Sequence, residues 1–117
     1  MKNYEQILSV QNGVARQGDV LVLRLEDTVD VGTLKQIPND RNGSAVVLAY
    51  GEVTGHAHEL DAKLASLYEF DGGKLLDVRQ EAILGHEEHF GIRLDPGQYK
   101  VVQQLEYTPG QIRNVAD

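Results

Sequence analysis

The sequence predicts an all-β protein, a single domain over residues 1–117 that forms a small β-barrel or sandwich. Strand signals recur about every 8–12 residues, and turn residues (Gly, Pro, Asn and Asp) stand between them. A length of 117 residues suits one domain with its own core. The hydrophobic share of 41% and the charged share of 25% are ordinary for a globular protein. The core is expected to consist mostly of aliphatic residues, since Trp is absent.

In the first half of the chain, one strand is expected on each side of a long loop. The opening NYEQILSV (3–10) could form a short helix. GDVLVLRLE (18–26) alternates as a strand does, with Leu21, Leu23 and Leu25 on one face. The polar stretch 26–44 is rich in turn residues and predicts a loop. AVVLAY (45–50) is a continuous apolar run, typical of a strand that is covered on both sides.

The second half predicts a series of hairpins. ASLYEF (65–70) and KLLDV (74–78) flank DGG and indicate a β-hairpin. EAIL (81–84) and GIRL (91–94) predict shorter strands, and DPG (95–97) predicts a tight turn. QYKVVQQLEY (98–107) alternates well enough for one long strand.

A short C-terminal helical turn is expected in the tail TPGQIRNVAD (108–117). Thr108 suits the N-cap of such a turn, and Pro109 suits its first helical position.

Composition disfavours several classes of partner. The net charge of −7, with no stripe of Lys or Arg, opposes nonspecific binding to nucleic acid. No apolar run approaches the roughly 18–20 residues that a membrane helix needs, so no membrane partner is expected. The absence of Cys excludes disulfides and thiolate metal sites and fits a cytoplasmic location. A small molecule or a protein remains as the partner, and the sequence permits a homo-oligomer.

The histidines carry the main functional signal, because all four lie in two pairs that each follow a glycine. The first pair is His56 and His58 in EVTGHAH. If this segment is extended, Glu52, Thr54 and both histidines lie on one face of a strand. The two Cα atoms are then about 7 Å apart, twice the rise of roughly 3.3 Å per residue, so both rings can reach one ion.

The second pair, His86 and His89 in GHEEHF, has an offset of three residues. On a regular strand these side chains would point to opposite faces. They converge only if the segment forms a turn, a bulge or one helical turn. Glu87 and Glu88 lie inside it and could supply a carboxylate.

These residue types favour a divalent transition metal as the cofactor. Three or four imidazoles suit Zn, Fe, Mn, Ni or Cu, and an open position on the ion would acidify bound water or hold a substrate oxygen. Carboxylates nearby could orient the imidazoles. The candidate metal ligands are His56, His58, His86 and His89; the candidate orienting or ligand-binding residues are Glu52, Thr54, Glu59, Glu87, Glu88 and Arg93.

Two other interpretations stay open, and whether the protein is an enzyme stays open with them. The chain could be a protein-interaction module, such as an inhibitor or a virion component, in which the histidines are structural. Alternatively, a metal-free site could use His as acid and base on a phosphoester or nucleotide. That site would need a cation for the phosphate, and Arg93 and Arg41 are the candidates. The histidine hypothesis itself requires that ring nitrogens of both pairs lie within about 4–5 Å of one another.

Several motifs resemble those of a family of small uncharacterised bacterial and phage proteins. They are QGDV (17–20), the GE-x-TGH-x-H segment Gly51–His58, and the segment from His86 to Asp117 that begins HEEH and contains PG-x-Y-x-V and EY-x-P. The resemblance covers most of the chain outside the central hairpin. It implies no activity.

A second resemblance is to the cupins, β-barrels that hold a metal through a His-x-His pair, a Glu and a later His. Gly51 and His56-x-His58 are similar to the first half of that pattern, and DPGQY (95–99) is similar to the cupin Pro-Gly turn. The chain departs from the pattern where the cupin Glu is expected, since Ala62 and Lys63 stand there. The resemblance therefore implies that His86 or His89 supplies the missing ligand.

Overall fold

Strands make up most of the part of the chain that the structure describes. The computed structural model describes residues 7–9, 13–51, 56–87, 89–108 and 111–114. One short 3-10 helix lies at Val31–Thr33. The strands are β1 (Ile7–Ser9), β2 (Val14–Gln17), β3 (Val20–Arg24), β4 (Ala45–Tyr50), β5 (Ala57–Asp61), β6 (Ala65–Phe70), β7 (Gly73–Val78), β8 (Ala82–His86), β9 (His89–Leu94), β10 (Gly97–Gln103), β11 (Leu105–Thr108) and β12 (Gln111–Asn114).

Ten of these strands form two sheets of five. The first sheet has the order β1-β9-β8-β5-β4, and the second has the order β2-β3-β10-β7-β6. All neighbours are antiparallel except β1 and β9, which are parallel. The sheets approach each other at both sides, where β2 contacts β9 and β4 contacts β6. The predicted all-β class is confirmed, and the arrangement is that of a sandwich.

The core lies between the two sheets. Alternation along each strand turns every second side chain inward, and most of the inward positions are apolar. The first sheet contributes residues such as Leu48, Leu84 and Ile92, and the second contributes Leu76 and Tyr99, all almost fully buried. This burial of apolar surface from both sheets is the main favourable term that holds them together.

The expected helical turn at the C-terminus is wrong. Residues Leu105–Thr108 and Gln111–Asn114 are strands that pair antiparallel, with Thr108 opposite Gln111. The alternation that runs through LEY into T favours a strand, and Pro-Gly is a turn signal as well as a helix start. The two residues between the strands, 109 and 110, and the last three lie outside the described residues.

The structure also differs from the prediction at three other places. Ile7–Ser9 is a strand beside β9, so the helix expected over 3–10 does not form there. The single strand expected over 98–107 ends at Gln103, and β11 belongs to a separate pair. The structure adds β2, which the sequence pattern did not indicate, as the hairpin partner of β3.

A search for membrane-crossing helices gave none in the described ranges: no helix there has the necessary length and apolarity.

Candidate functional site

The two histidine pairs meet at one end of the first sheet. His58 lies near the start of β5, His86 ends β8, and His89 begins β9. In the sheet, β8 lies between β5 and β9 and runs antiparallel to both. The end of β8 therefore lies beside the starts of both neighbours, which brings His58 into one region with His86 and His89, although they are 28 and 31 positions away in the chain.

The β8–β9 hairpin contains two of the three features, a turn and a bulge, that were expected to let the second histidine pair converge. His86 and His89 are opposite each other, and only Glu87 and Glu88 connect them. The register then shifts, because β9 uses three steps from His89 to Ile92 where β8 uses two steps from Leu84 to His86. This β-bulge turns His89 to the same face as His86.

His58 lies in the interior between the two sheets. Its side chain is 0% exposed. Nδ1 of its ring lies 2.9 Å from Oε1 of Gln17, and Nε2 lies 3.3 Å from Oδ1 of Asp19. Gln17 ends β2 and Asp19 lies in the turn before β3, so both belong to the second sheet. His58 thus joins the two sheets through polar contacts.

The orientation of the Gln17 amide determines which nitrogen of His58 carries a proton. Nε2 of Gln17 donates to the carbonyl oxygens of Leu84 (3.0 Å) and Phe90 (2.6 Å). The amide oxygen therefore faces His58, and an oxygen can only accept. Nδ1 of His58 must therefore carry a proton and donate this hydrogen bond. Nε2 lies on the other side of the ring and faces Asp19.

Asp19 is a fully buried carboxylate, 0% exposed. Its Oδ2 accepts a hydrogen bond of 2.9 Å from Nε2 of Gln103, and its carbonyl oxygen accepts one of 2.7 Å from the backbone of Gln104. These contacts fix the carboxylate with Oδ1 directed at His58. A carboxylate in such a position needs compensating charge or hydrogen bonds.

The four imidazoles form one group, which we call the histidine cluster (His56, His58, His86 and His89). Ring centroids are 4.4 Å apart for His58 and His86, and 4.6 Å apart for His86 and His89. The centroids of His58 and His89 are 5.8 Å apart, as are those of His56 and His86. His58 and His86 are buried, whereas His56 and His89 are half-buried. The cluster therefore has an inner side and an accessible side.

One of the predicted carboxylates contacts the cluster region. Oε2 of Glu87 accepts a hydrogen bond of 3.2 Å from the backbone of Ala57, between His56 and His58. This hydrogen bond connects the turn after β8 to the start of β5.

The other predicted orienting residues have different positions. Glu59 points to the opposite face from His58, because neighbours on a strand alternate, and its Oε2 lies 3.2 Å from Nε of Arg41. Arg93 is exposed, and its Nε lies 3.3 Å from Oε1 of Glu81. Glu52, Thr54 and Glu88 lie outside the described residues.

Gln17 and Asp19 were not among the sequence-predicted site residues. They precede His58 by about 40 positions in the chain, and no spacing rule connects the two segments. The one available signal in the sequence is the motif QGDV (17–20), which indicates no role by itself. Only the packing of the two sheets brings these residues to His58.

The chemistry available in this region is that of imidazole nitrogens with one buried carboxylate, a donor set that suits several divalent metals. As their side chains stand, the described residues contain no group of three or more His, Asp or Glu in a ready metal-binding arrangement. A bound ion would therefore have to draw side chains of the cluster together. The half-buried rings of His56 and His89 are on the side where such movement is least restricted.

The family described as "Domain of unknown function (DUF8820)" matches residues 16–104. The chain belongs to this family, which has no assigned activity. Comparison with curated proteins gave no significant match, and comparison with solved structures gave none either. The matched range includes Gln17, Asp19 and all four histidines.

Proposed function

We propose that the histidine cluster binds one divalent transition metal, with imidazole nitrogens of His56, His58, His86 and His89 as candidate ligands. The observation that supports this most is the closeness of the rings, since in four of their six pairs the centroids are 4.4–5.8 Å apart. Two imidazoles on one tetrahedral ion, with bonds of about 2.0–2.1 Å, have centroids about 5 Å apart. The rings thus lie near one another, and movement of their side chains would be needed to bring three or more nitrogens onto one ion.

The contact between Gln17 and His58 is a second support. Metal-binding histidines commonly donate their other ring nitrogen to an oxygen acceptor, which fixes the tautomer and the orientation of the ring. Oε1 of Gln17 is such an acceptor, 2.9 Å from Nδ1 of His58. The arrangement leaves Nε2 as the metal-binding nitrogen of this residue. Zn, Fe, Mn, Ni and Cu all accept such donors.

The metal-free acid–base alternative has less support. Its proposed phosphate cations, Arg41 and Arg93, form ion pairs with Glu59 and Glu81. His58 and His86 are also too buried to exchange protons with a substrate directly.

The interaction-module alternative has one supporting observation. Tyr50 and Phe90 are 52% and 53% exposed, and both lie at the end of the first sheet where the histidines meet. A protein complex that survives replacement of all four histidines would favour this alternative over metal binding.

The remaining expectations stay predictions. They are the cupin resemblance, the bacterial or phage origin, the cytoplasmic location, the lack of nonspecific nucleic-acid and membrane binding, the small-molecule or protein partner and the homo-oligomer.

Elemental analysis of untagged protein tests the metal proposal. We expect about one equivalent of a transition metal per chain, either as purified or after incubation with the five candidate ions. The double variant His86→Gln, His89→Gln should lose the ion. A matched double variant at exposed amides, Gln36→Ala and Gln80→Ala, should keep it. A wild-type protein that takes up none of the five ions would contradict the proposal.

A further inference from the structure

Lys74 is a cationic side chain in the space between the two sheets. It lies on β7, two positions before the core residue Leu76, so its side chain points towards the other sheet. Its Nζ donates a hydrogen bond of 2.9 Å to the carbonyl oxygen of Leu48 on β4. Leu48 precedes Ala49, which lies opposite His58. Lys74 therefore lies at the end of the sandwich where the histidines meet.

A bulge in β4 explains why Lys74 binds this carbonyl. The register between β4 and β5 shifts between Val47 and Ala49, so no residue of β5 lies opposite Leu48. The extra residue of a bulge has no partner in the ladder. Leu48 is 1% exposed, and a buried carbonyl needs a donor, which Nζ of Lys74 supplies. The ammonium group is thus held in one position by the main chain.

The charge of Lys74 has no compensating anion in the part of the chain that the structure describes. An ammonium group has three N–H donors, and the Leu48 carbonyl, which is neutral, uses one of them. Among the described residues Lys74 forms no ion pair, although Glu69 lies opposite it on β6. A half-buried charge is stabilised when an ion of opposite sign binds to it.

A cavity of about 420 Å³ lies beside Lys74. Leu48, Lys74, Val101 and Gln103 are among the residues that line it. The volume falls in the range of roughly 300–1,000 Å³ that is typical of small-molecule sites, so the cavity has room for an organic group and not only for an ion. Lys100 also lines it, but its Nζ lies 3.9 Å from Oδ2 of Asp71.

The end of β10 adds a main-chain donor to this cavity. β7 pairs with β10 only as far as Lys74 opposite Val101, so β10 continues to Gln103 without β7 beside it. The N–H of Gln104 donates to the carbonyl of Asp19 on the β3 side. Successive residues of a strand direct their main-chain groups to alternate sides, so the N–H of Gln103 is directed to the side of the cavity.

We propose that this cavity binds a small organic carboxylate, with one oxygen at Nζ of Lys74 and the other at the N–H of Gln103. One ammonium group compensates the single charge of a carboxylate, whereas a phosphate monoester carries a charge of about −1.5 to −2. The site involves no metal ion and uses none of the four histidines. It therefore goes beyond the proposed function and does not depend on it.

The test is an NMR titration of ¹⁵N-labelled, chelator-treated protein with sodium butyrate, with chloride keeping the ionic strength constant. We expect saturable shifts of the backbone amides of Gly73, Lys74 and Gln103. Butyramide has nearly the same shape without the charge and should bind at least about 10-fold more weakly, since a hydrogen bond to a charged group is the stronger kind. Inorganic phosphate should also bind more weakly than butyrate.

A matched pair of variants tests the role of Lys74. Lys74→Met keeps a long apolar side chain and removes the charge, so butyrate affinity should fall at least about 10-fold. Lys63→Met makes the same change of charge at an exposed position and should bind butyrate as the wild type does. Circular dichroism establishes that each variant is folded.

Several results would overturn the proposal. They are a wild-type protein without saturable shifts, butyramide or phosphate binding as tightly as butyrate, and a folded Lys74→Met variant with wild-type affinity. Equal weakening by Lys63→Met would show a nonspecific charge effect. If Lys74→Met does not fold, the comparison of butyrate with butyramide on the wild type decides. Because the titrated protein is free of metal, its outcome is separate from that of the elemental analysis.

Discussion

At the scale of single residues, Tyr99 shows how a polar group is accommodated in the core. Its side chain is 0% exposed, and its hydroxyl donates to the carbonyl of Asp95 (2.8 Å) and accepts from Nη1 of Arg24 (2.9 Å). Burial raises the pKa of this hydroxyl above the ordinary value of 10.0; Arg24 lowers the pKa, and Asp95 adds to the rise. The neutral form is therefore the one that the fold favours.

This shift predicts a loss of stability at high pH. The unfolded chain releases the Tyr99 proton near pH 10.0, whereas the folded chain retains it to higher pH. The folded state then binds more protons, so the free energy of unfolding falls as the pH rises above 10. Urea unfolding of wild type and Tyr99→Phe at several pH values between about 9 and 12 measures this. The wild type should lose stability more steeply; parallel curves would contradict the account.

At the residue scale, the sequence carried information where the signal was local, and the role of the histidines as metal ligands stays a prediction. The four histidines stand out by their pairing, and the three-residue offset of the second pair predicted a turn, a bulge or one helical turn, of which β8 and β9 contain the first two. The contact of Asp19 with His58 could not be found in this way, because the two residues are 39 positions apart and meet only where the two sheets pack.

At the scale of secondary-structure elements, the β2–β3 hairpin depends on Gln17 for its attachment to the opposite sheet. This side chain is 2% exposed and binds two carbonyls and His58. Its removal leaves the two carbonyls and His58 without this hydrogen-bond partner. Removing one partner of a buried hydrogen bond costs more free energy than removing both partners.

Replacing Gln17 with Leu should therefore lower the free energy of unfolding by about 1–3 kcal/mol in metal-free protein. The same change at Gln80, which is exposed, should cost less than about 0.5 kcal/mol. Chemical denaturation of both variants measures the difference. Equal stability of the two variants would mean that Gln17 does not anchor the hairpin.

The strands that the sequence predicted are those whose own residue pattern determines their structure. The alternating or apolar runs of β3, β4, β6 and β7 were found directly. The sequence pattern over 108–117 is compatible with the start of a helix and with a hairpin. In the structure, Gln111–Asn114 pairs with Leu105–Thr108, as in a hairpin. β1 has three residues and exists through its pairing with β9, which lies about 80 residues later.

At the scale of the whole molecule, the two sheets share one apolar core and one polar site. The core makes the sandwich stable, and the contacts of Gln17 and Asp19 with His58 define how the sheets are placed at the histidine end. A sequence predicts such a sandwich from the number and spacing of its strands. It does not predict which inward polar residues will face each other across the core.

The most direct test of the central claim is a crystal structure of the zinc-soaked protein with data collected on both sides of the zinc absorption edge. The account predicts one anomalous peak per chain at the histidine cluster, about 2.0–2.2 Å from imidazole nitrogens of the cluster, Nε2 of His58 among them. A peak on the protein surface away from these atoms, or no peak at all in a fully soaked crystal, would contradict it.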